Sequence, residues 1–430
     1  MKQLGMILLL CCAAPAIAHA EQSWVLATDL WGTRTYQTLT LNIKDQVVTG
    51  NLDGDEITGT LKDGNLVFAT SDATNRVSVT GTMKSNSLAG VADMADTNTP
   101  SVRVKHSVTA YRIPDRPKGG PTRYDFVPRD YSNTFDPHRA PVLTVWPGDT
   151  IHTTTIDSGG VDEKGVTRAL YGNPQTGPFF VAGAEAGDTL VVKIKRLKLN
   201  RDYADSLDDI VRRARNTSLA VKSTELGKAV RWKLDRARGV ATPSLATGHL
   251  AGIAVPLRPM LGGLAVAPGN GSPAISTGDT GSFGGNMDFN EVIEGNTVFL
   301  PVQQPGALLY LGDAHALQGD GETSQYALET SMDVEFSVEL VKNKAIAMPR
   351  VESPTQIMVL GQAGSLDDAL RAATSGMVDW LNLDYGLTVS ESAQILGSAV
   401  KYSVANLAGR SVGVAAKLDK SIVAKIKRVR

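Results

Sequence analysis

The chain has 430 residues, of which 42% are hydrophobic and 20% are charged, so it is a globular chain rather than a disordered one. This length allows two domains, or one large domain with an appendage. A formal net charge of −1 gives no electrostatic reason to expect a nucleic-acid partner.

Residues 1–20 are predicted to be a secretion signal. Lys2 supplies the positive start, and the apolar run Leu4–Ile17 is too short to cross a bilayer as a helix. Ala18-His19-Ala20 fits the small-x-small cleavage pattern, which would make Glu21 the first mature residue. No later apolar run reaches membrane length. We therefore expect a bacterial periplasmic or secreted protein without a membrane span.

The two cysteines of the chain, Cys11 and Cys12, both lie in this segment. Cleavage after Ala20 would leave no cysteine, which excludes disulfides, a cysteine nucleophile and a Cys-ligated zinc site. Lipid attachment at Cys11 is the alternative, because Leu8-Leu9-Leu10 before it loosely fits a lipoprotein signal.

Residues 21–112 predict a small antiparallel β-meander. Apolar residues alternate with Thr and Ser, as in half-buried strands, over 39–43, 47–52, 56–61, 65–69, 77–82 and 87–91. Asp53-Gly54 and Asp63-Gly64 are hairpin-turn dipeptides. Since no acid/base cluster lies here, we expect an accessory or packing role. Trp24 and Trp31 are interpreted as core aromatics, with a sugar-stacking platform as the alternative.

A Pro/Gly-rich linker is predicted over 113–136, and a larger domain over 137–430. Within it, 201–238 is interpreted as a charged, partly helical insertion whose Arg212, Arg213 and Arg215 form a solvated face. A small α+β unit follows near the C-terminus. Ser365 is predicted to cap a helix that runs to about Asp384 and ends at Gly386, and a second helix is predicted over Ser390–Tyr402, with strands on either side.

The stretch 278–330 concentrates acidic residues and one histidine among glycine turns: Asp279, Asp288, Asp313, His315, Asp320, Glu322 and Glu329. Such side chains are the oxygen and nitrogen ligands of divalent cations, and also the acids and bases of hydrolysis. Asp and Gly are also turn residues, so ordinary turns on a β-scaffold are the alternative.

The order of motifs resembles the acetamidase/formamidase family over residues 137–424. The resemblance rests on GGNMD (284–288), GALLYLGDAHALQGDGE (306–322), Glu329-Thr330, GPFFVAGAEAGDTLVVKI (177–194), PMLGGLAVAPG (259–269) and the segment 376–407. It implies a mainly β protein, in which the N-terminal meander precedes a larger β-sandwich-like core with the small α+β unit. It also implies hydrolysis of C–N bonds other than peptide bonds in small linear or cyclic carboxamides, with release of ammonia or an amine.

Amide hydrolysis needs an activated nucleophile, stabilisation of the oxyanion and a proton for the leaving nitrogen. Without a mature cysteine or a serine-hydrolase elbow, we favour water activated by a divalent cation, as the resemblance also implies. Zinc suits Asp and His ligands, whereas calcium would suit the carboxylate-rich loop 313–322. We expect zinc, with calcium as the alternative.

The predicted ligands are Asp157, Asp288, Asp313, His315 and Glu329. Asp313 and His315 stand two apart, which on a strand points both side chains to one face. A hydrogen-bonded pair without a metal is the alternative. Glu329 follows on the next strand, Asp288 is a ligand or a turn former, and the resemblance implies Asp157.

The predicted catalytic residues are Glu322, as general acid/base, Asp320, as an alternative proton carrier, and Asn286, as a donor to the oxyanion. Arg258 stands where some longer formamidases carry histidine, which favours the shorter acetamidase-like branch. A non-catalytic periplasmic ligand-binding protein that keeps the fold is the second hypothesis. We expect a small amide as substrate and a homo-oligomer, a dimer.

Overall fold

A computed structural model describes residues 21–72, 75–245, 248–269 and 271–429. The predicted signal peptide, with Cys11 and Cys12, lies outside the described residues. The chain divides into two compact units, one ending at Ile113 and the other running from Pro114 onward, with the short segment Thr33–Tyr36 assigned to the second. No helix in the described ranges is long and apolar enough to cross a membrane.

The N-terminal unit is a closed antiparallel barrel. Across 21–72 and 75–112 its strands are β1 (Gln22–Leu30), β2 (Thr33–Lys44), β3 (Val47–Leu52), β4 (Asp55–Lys62), β5 (Asn65–Thr70), β6 (Ser78–Met83), β7 (Ser87–Ala95) and β8 (Arg103–Arg112). Each strand pairs with the next in sequence, and β1 pairs with β8 to close the barrel. The predicted meander is confirmed, whereas its closure is decided by pairings between distant residues, such as Trp24 with Arg112, which are 88 positions apart (112 − 24 = 88).

Local sequence explains the barrel strands. At the hairpins, Asp53 and Gly54 have φ of 53° and 105°, and Asp63 and Gly64 have 50° and 79°, the left-handed pair that tight hairpin turns require. Alternate apolar side chains fill the barrel, including Trp24, Leu39, Val48, Ile57, Leu66, Phe68 and Val79. Trp24 is therefore a core aromatic, as predicted, but Trp31 is 65% exposed and is not.

The second unit is also built mainly of strands. In chain order they are β9 (Arg123–Asp125), β10 (Thr134–Phe135), β11 (Leu143–Val145), β12 (Thr150–Thr154), β13 (Gln175–Val181), β14 (Thr189–Leu199), β15 (Tyr203–Leu207), β16 (Ala229–Asp235), β17 (Val240–Pro243), β18 (Val255–Pro256), β19 (Met260–Ala265), β20 (Ile275–Ser276), β21 (Thr280–Gly281), β22 (Gly284–Asn286), β23 (Thr297–Pro301), β24 (Leu309–His315), β25 (Glu329–Thr330), β26 (Met332–Val341), β27 (Arg350–Glu352), β28 (Gln356–Ala363), β29 (Lys401–Asn406) and β30 (Val412–Asp419). The helices are α1 (Thr217–Lys222), α2 (Leu366–Tyr385), α3 (Val389–Ala399) and α4 (Lys420–Val423), with 3-10 turns at Arg212–Ala214 and Gly248–Leu250.

Two large sheets form the core of this unit. In the described part of the chain, one has the order β29-β30-β28-β27-β23-β14-β26-β12-β9. The other has the order β18-β17-β16-β15-β25-β24-β19-β22-β21, with β13 joined to β24 and β11 to β13. Side chains of the two sheets meet, because the rings of Phe179 on β13 and Phe336 on β26 lie 5.7 Å apart. The mainly β fold class is confirmed.

The C-terminal α+β unit packs two helices on β28 and β30. Ser365 accepts a hydrogen bond from the Asp368 amide at the start of α2, and Gly386 ends it with φ of 68°, as predicted. Buried residues of α2 that face the strands include Ala373, Met377, Trp380 and Leu381. The second helix, α3, ends at Ala399 rather than Tyr402, because Lys401 begins the edge strand β29.

The charged segment 201–238 is partly helical, as predicted, but strands lie near both of its ends and pair as a β-hairpin. Strands β15 and β16 pair antiparallel, with Asp205 opposite Arg231 and their side chains 2.9 Å apart. The charges alternate with residues such as Trp232 and Leu234, which is the period of a strand with one solvated face. Only the 3-10 turn and α1 between the strands are helical among the described residues of the segment.

Candidate functional site

Strands β24 and β25 and two adjoining turns bring four carboxylates and one imidazole together. Asp288, Asp313, His315, Glu322 and Glu329 are each between 0% and 5% exposed. His315 stands directly opposite Glu329 in the β24–β25 pairing. Buried acids are rare unless they are paired or bind a cation, so this cluster, which we call the acid cluster, needs an explanation beyond packing.

The acid cluster is held by unusual backbone geometry. Asp288, Asp313 and Glu322 have φ of 42°, 54° and 44°, which is a region that non-glycine residues seldom adopt. Asp313 lies opposite Gly262 of β19, because Gly312 pairs with Gly263 and Ala314 with Leu261. Such backbone strain costs on the order of 1–3 kcal/mol per residue and concentrates at functional sites.

Gly262 on β19 leaves the room that the carboxylates occupy. A Cβ at this position would lie 2.4 Å from Asp288 Oδ1 and 2.7 Å from Asp313 Oδ2. The Gly262 carbonyl also accepts the amide hydrogen bonds of Met287, at 2.9 Å, and Asp288, at 3.2 Å. Glycine therefore permits the close approach of the two acids to this strand.

Three asparagines each bind the acid cluster through a side-chain amide. Asp288 Oδ2 accepts hydrogen bonds from Asn286 Nδ2 and from Asn406 Nδ2, both at 2.6 Å. Asp313 Oδ2 accepts one from Asn173 Nδ2 at 3.1 Å, and the same nitrogen donates to Asn286 Oδ1 at 2.6 Å. One oxygen of each aspartate is thereby fixed, and the other oxygen is left free.

The free atoms converge on His315. Asp288 Oδ1, Asp313 Oδ1, Glu329 Oε2 and both ring nitrogens of His315 are buried without a hydrogen-bond partner. From His315 Nε2 the distance is 3.5 Å to Glu329 Oε1, 3.6 Å to Asp313 Oδ1 and 4.0 Å to Asp288 Oδ1. Unpaired buried donors and acceptors in one place indicate an ion or ligand that would satisfy them.

These donors fit a divalent cation. Two groups, Asp288–Asp313–His315 and His315–Glu322–Glu329, each present ligand atoms within 4.8 Å of one another. Tetrahedral zinc at ~2.1 Å from its ligands separates them by about 3.4 Å, close to the shorter distances from His315 Nε2. The mixed nitrogen and oxygen donor set suits zinc better than calcium, which takes oxygen ligands.

Without a cation, the acid cluster has strongly perturbed protonation. Burial raises the pKa of Asp288, Glu322 and Glu329, and for Asp288 and Glu322 the neighbouring carboxylates add to the effect. Burial alone would lower the pKa of His315, but Glu329 and Asp313 outweigh it and raise that pKa to about 10. In the cation-free state, protons therefore take the place of a positive charge that the carboxylates require.

Asp157 and Asp320, also predicted as site residues, lie in different surroundings. Asp157 forms a buried ion pair with Arg201 at 2.7 Å and accepts the Val161 amide hydrogen bond at 2.8 Å. Arg201 in turn donates to the Glu329 carbonyl at 3.1 Å, so the pair supports the strand beside the acid cluster. Asp320 is exposed and accepts a hydrogen bond from Asn290 at 2.8 Å.

A cavity of about 220 Å³ opens onto the acid cluster. Asp313, Glu322, Glu329 and Asn286 line it, as do Tyr171, Asn173, Gln325, Tyr326 and Arg410. The hydroxyls of Tyr171 and Tyr326 are in contact at its edge. The volume is below the roughly 300–1,000 Å³ of sites for drug-sized ligands, so a small ligand fits.

Sequence reasoning missed Asn173, Asn406, Tyr171, Tyr326 and Arg410. Asn173 lies in Gly172-Asn173-Pro174, and its φ of 57° indicates a turn residue, which gave no chemical signal. Asn406 falls within the last stretch of the family resemblance, but nothing in its neighbourhood distinguishes it from a strand terminus. Only the fold brings these residues to the acid cluster.

Comparisons with known proteins point to one family. The acetamidase/formamidase family model matches residues 271–406, which contain the acid cluster. A Schizosaccharomyces pombe protein whose name assigns it to the formamidases is 44% identical over 61 residues, a segment that spans 14% of this chain and 15% of that protein.

Solved structures extend the likeness over a larger share of the chain. A predicted acetamidase/formamidase from Thermoanaerobacter tengcongensis is similar with a TM-score of 0.60 and 26% identity, over 71% of this chain and 99% of that one. The acetamidase of Yersinia enterocolitica is similar with a TM-score of 0.62 and 28% identity, over 72% and 95% of the two chains.

Proposed function

We propose that this chain, which is similar to the acetamidase/formamidase family in sequence and in structure, hydrolyses the C–N bond of small linear or cyclic carboxamides and releases ammonia or an amine. The observation that carries the proposal is the acid cluster, with its free donor atoms, at the floor of a small cavity. A small amide has the size and polarity that this cavity accepts.

In this proposal Asp288, Asp313 and His315 would hold a divalent cation, zinc, and Glu329, whose Oε1 lies 3.5 Å from His315 Nε2, would be a further ligand. When bound, zinc polarises a carbonyl and makes a water molecule acidic enough to be a nucleophile near neutral pH. Asn286, Asn406 and Asn173 serve the acids, because each fixes one carboxylate oxygen and leaves the other oxygen available.

Glu322 is proposed to carry a proton between the nucleophile and the leaving nitrogen. Glu322 lines the cavity and lies in a glycine-rich turn. Its main-chain N–H donates a hydrogen bond to the Gly319 carbonyl at 3.2 Å. Asn286 also lines the cavity, and its side-chain amide donates a hydrogen bond to Asp288. It therefore orients the proposed metal ligand Asp288 as well as offering a hydrogen bond to the substrate. Asp320, which points to solvent, is the less suitable proton carrier.

Two variants separate holding the cation from moving the proton. His315→Ala should lose both zinc and ammonia release from acetamide, because it removes a ligand shared by both possible donor groups. Glu322→Gln should keep zinc and turn over about 10²- to 10⁴-fold more slowly, because it removes a proton carrier. Asp320→Asn, in the same turn but exposed, is the matched control and should retain both properties.

The result also decides between the enzyme and a ligand-binding protein of the same fold. A binding protein would take up zinc and amide but release no ammonia from any carboxamide in a panel of linear and cyclic compounds. If His315→Ala keeps full zinc occupancy, His315 is not a ligand. If Glu322→Gln loses zinc, Glu322 belongs to the coordination shell.

Export and self-association complete the proposal. We propose that the protein is periplasmic or secreted after cleavage of residues 1–20, and that it forms a homodimer. Light scattering of the purified protein tests the second statement, because a monomeric mass would exclude it.

A further inference from the structure

One positively charged side chain lines the cavity that opens onto the acid cluster. Arg410 is the only lysine, arginine or histidine among the described residues that line this cavity. Its side chain is exposed and forms no ion pair with any residue in the described ranges. An arginine carries a positive charge near neutral pH, so the cavity is lined by the carboxyl groups of Asp313, Glu322 and Glu329 and by one guanidinium.

The loop that carries Arg410, residues 407–411, is held firmly in place. Arg213 donates to the carbonyls of Leu407 at 3.1 Å, Gly409 at 2.5 Å and Arg410 at 2.7 Å. Arg213, interpreted from the sequence as part of a solvated face, is therefore a positioning residue for this loop. Three hydrogen bonds from one guanidinium to main-chain carbonyls fix the backbone from which Arg410 projects.

The same loop is tied to the floor of the cavity. Asn406 Oδ1 accepts the Gly409 amide hydrogen bond at 2.9 Å, while Asn406 Nδ2 donates to Asp288 Oδ2 at 2.6 Å. At the far end, Ser411 Oγ donates to Asp279 at 2.8 Å. The loop that bears Arg410 and one carboxylate of the acid cluster are thus connected through a single side chain.

We propose that Arg410 binds an anionic group on the substrate, so that the preferred substrates are amides that also carry a carboxylate. This inference rests on the proposed amidase function, and it assigns the substrate class. A neutral amide such as acetamide leaves the guanidinium without a partner. A monoamide of a short dicarboxylic acid places its amide at the acid cluster and its carboxylate against Arg410, where a planar, bidentate ion pair can form.

The test compares substrates that differ in one group. Succinamate and butyramide have the same carbon chain, but a carboxylate in the first replaces the methyl of the second. With zinc-loaded full-length protein, kcat/KM for succinamate should exceed that for butyramide by at least about tenfold, the ratio that one charge-assisted hydrogen bond supplies. The preference should appear mainly in KM and should shrink as NaCl is raised.

Arg410→Gln should bring the ratio of the two kcat/KM values close to one, and Arg213→Gln should lower it by loosening the loop. Arg371→Gln is the matched control. It removes an arginine from the exposed face of α2, where it pairs with Asp368, and should leave the ratio unchanged. A wild-type protein without the preference, or an Arg410→Gln variant that retains it, would overturn the inference while leaving the amidase proposal intact.

If no amide is hydrolysed, the amidase proposal fails. The anion contact of Arg410 is then tested separately, by measuring the binding of succinamate calorimetrically. Binding that weakens at least about tenfold in Arg410→Gln supports the anion contact. Equal binding by the wild type and the variant, or no binding by the wild type, refutes it.

Discussion

Replacing Gly262 by alanine tests the geometry of the acid cluster with one methyl group. The added Cβ would stand 2.4 Å from Asp288 Oδ1 and 2.7 Å from Asp313 Oδ2, whereas ordinary contact begins at 3.4 Å. The two carboxylates must therefore move by 3.4 − 2.4 = 1.0 Å and 3.4 − 2.7 = 0.7 Å, or the strand must move instead. Gly262 has no left-handed φ, so alanine can adopt its backbone conformation, although the Cβ would also lie 3.1 Å from the Asp313 carbonyl oxygen.

The expected loss follows from those displacements. Metal ligands tolerate about 0.2 Å of deviation, and these shifts are several times larger. Disturbing the residues that merely orient ligands costs about 10- to 100-fold in affinity or activity, so moving two ligands should cost at least about 100-fold in zinc affinity. Overpacking should lower the free energy of unfolding by about 1–3 kcal/mol, so the variant should remain folded.

The assay is zinc content by mass spectrometry after dialysis against a weak chelator, together with ammonia release and circular dichroism. Gly364→Ala is the control, because nothing lies within 4 Å of the Cβ it would add. If Gly262→Ala keeps one zinc per chain and turnover within a factor of two of wild type, Asp288 and Asp313 do not hold the cation in the arrangement described above.

Arg201→Met leaves the buried Asp157 carboxylate without its ion-pair partner and should lower the free energy of unfolding, measured in urea, by about 3–5 kcal/mol. Arg231→Met breaks the exposed pair with Asp205 and should lower it by about 0–1 kcal/mol. Equal losses would show that burial does not determine what an ion pair contributes to stability. In cation-free protein the folded-state pKa values of Asp288, Glu322, Glu329 and His315 are all raised. The stability that these groups contribute is therefore complete at a pH below their unfolded-state pKa values, and it is lost as the pH rises through their folded-state pKa values. With a chelator present, the thermal unfolding midpoint should therefore decrease as the pH is raised from 5 to 9. Excess zinc should reverse this trend, because zinc binds the deprotonated carboxylates. A midpoint temperature that rises with pH under chelation would contradict the assignment. Mass spectrometry of the exported protein should find Glu21 at the N-terminus, and a lipid-bearing Cys11 would show the alternative processing instead.

Local features of this chain were readable from the sequence because they depend on neighbours a few residues apart. Asp53-Gly54 and Asp63-Gly64 require left-handed φ, which marks hairpins wherever the strands later pair. Ser365 and Gly386 satisfy the free backbone groups at the two ends of α2, so they fix its limits without reference to the rest of the fold. The spacing of Asp313 and His315 likewise identified two side chains that reach the same cluster.

Contacts between residues far apart in sequence were decided only by the tertiary structure. Strand register places Glu329 opposite His315, and the asparagines at positions 173, 286 and 406 converge on two aspartates although up to 233 residues separate them along the chain (406 − 173 = 233). Asp157 carries the same carboxylate as Asp313, yet the fold puts Arg201 beside it and so neutralises its charge within the protein. A carboxylate's role depends on which partners surround it, and those partners are set by how the sheets pair and pack, which local sequence does not encode.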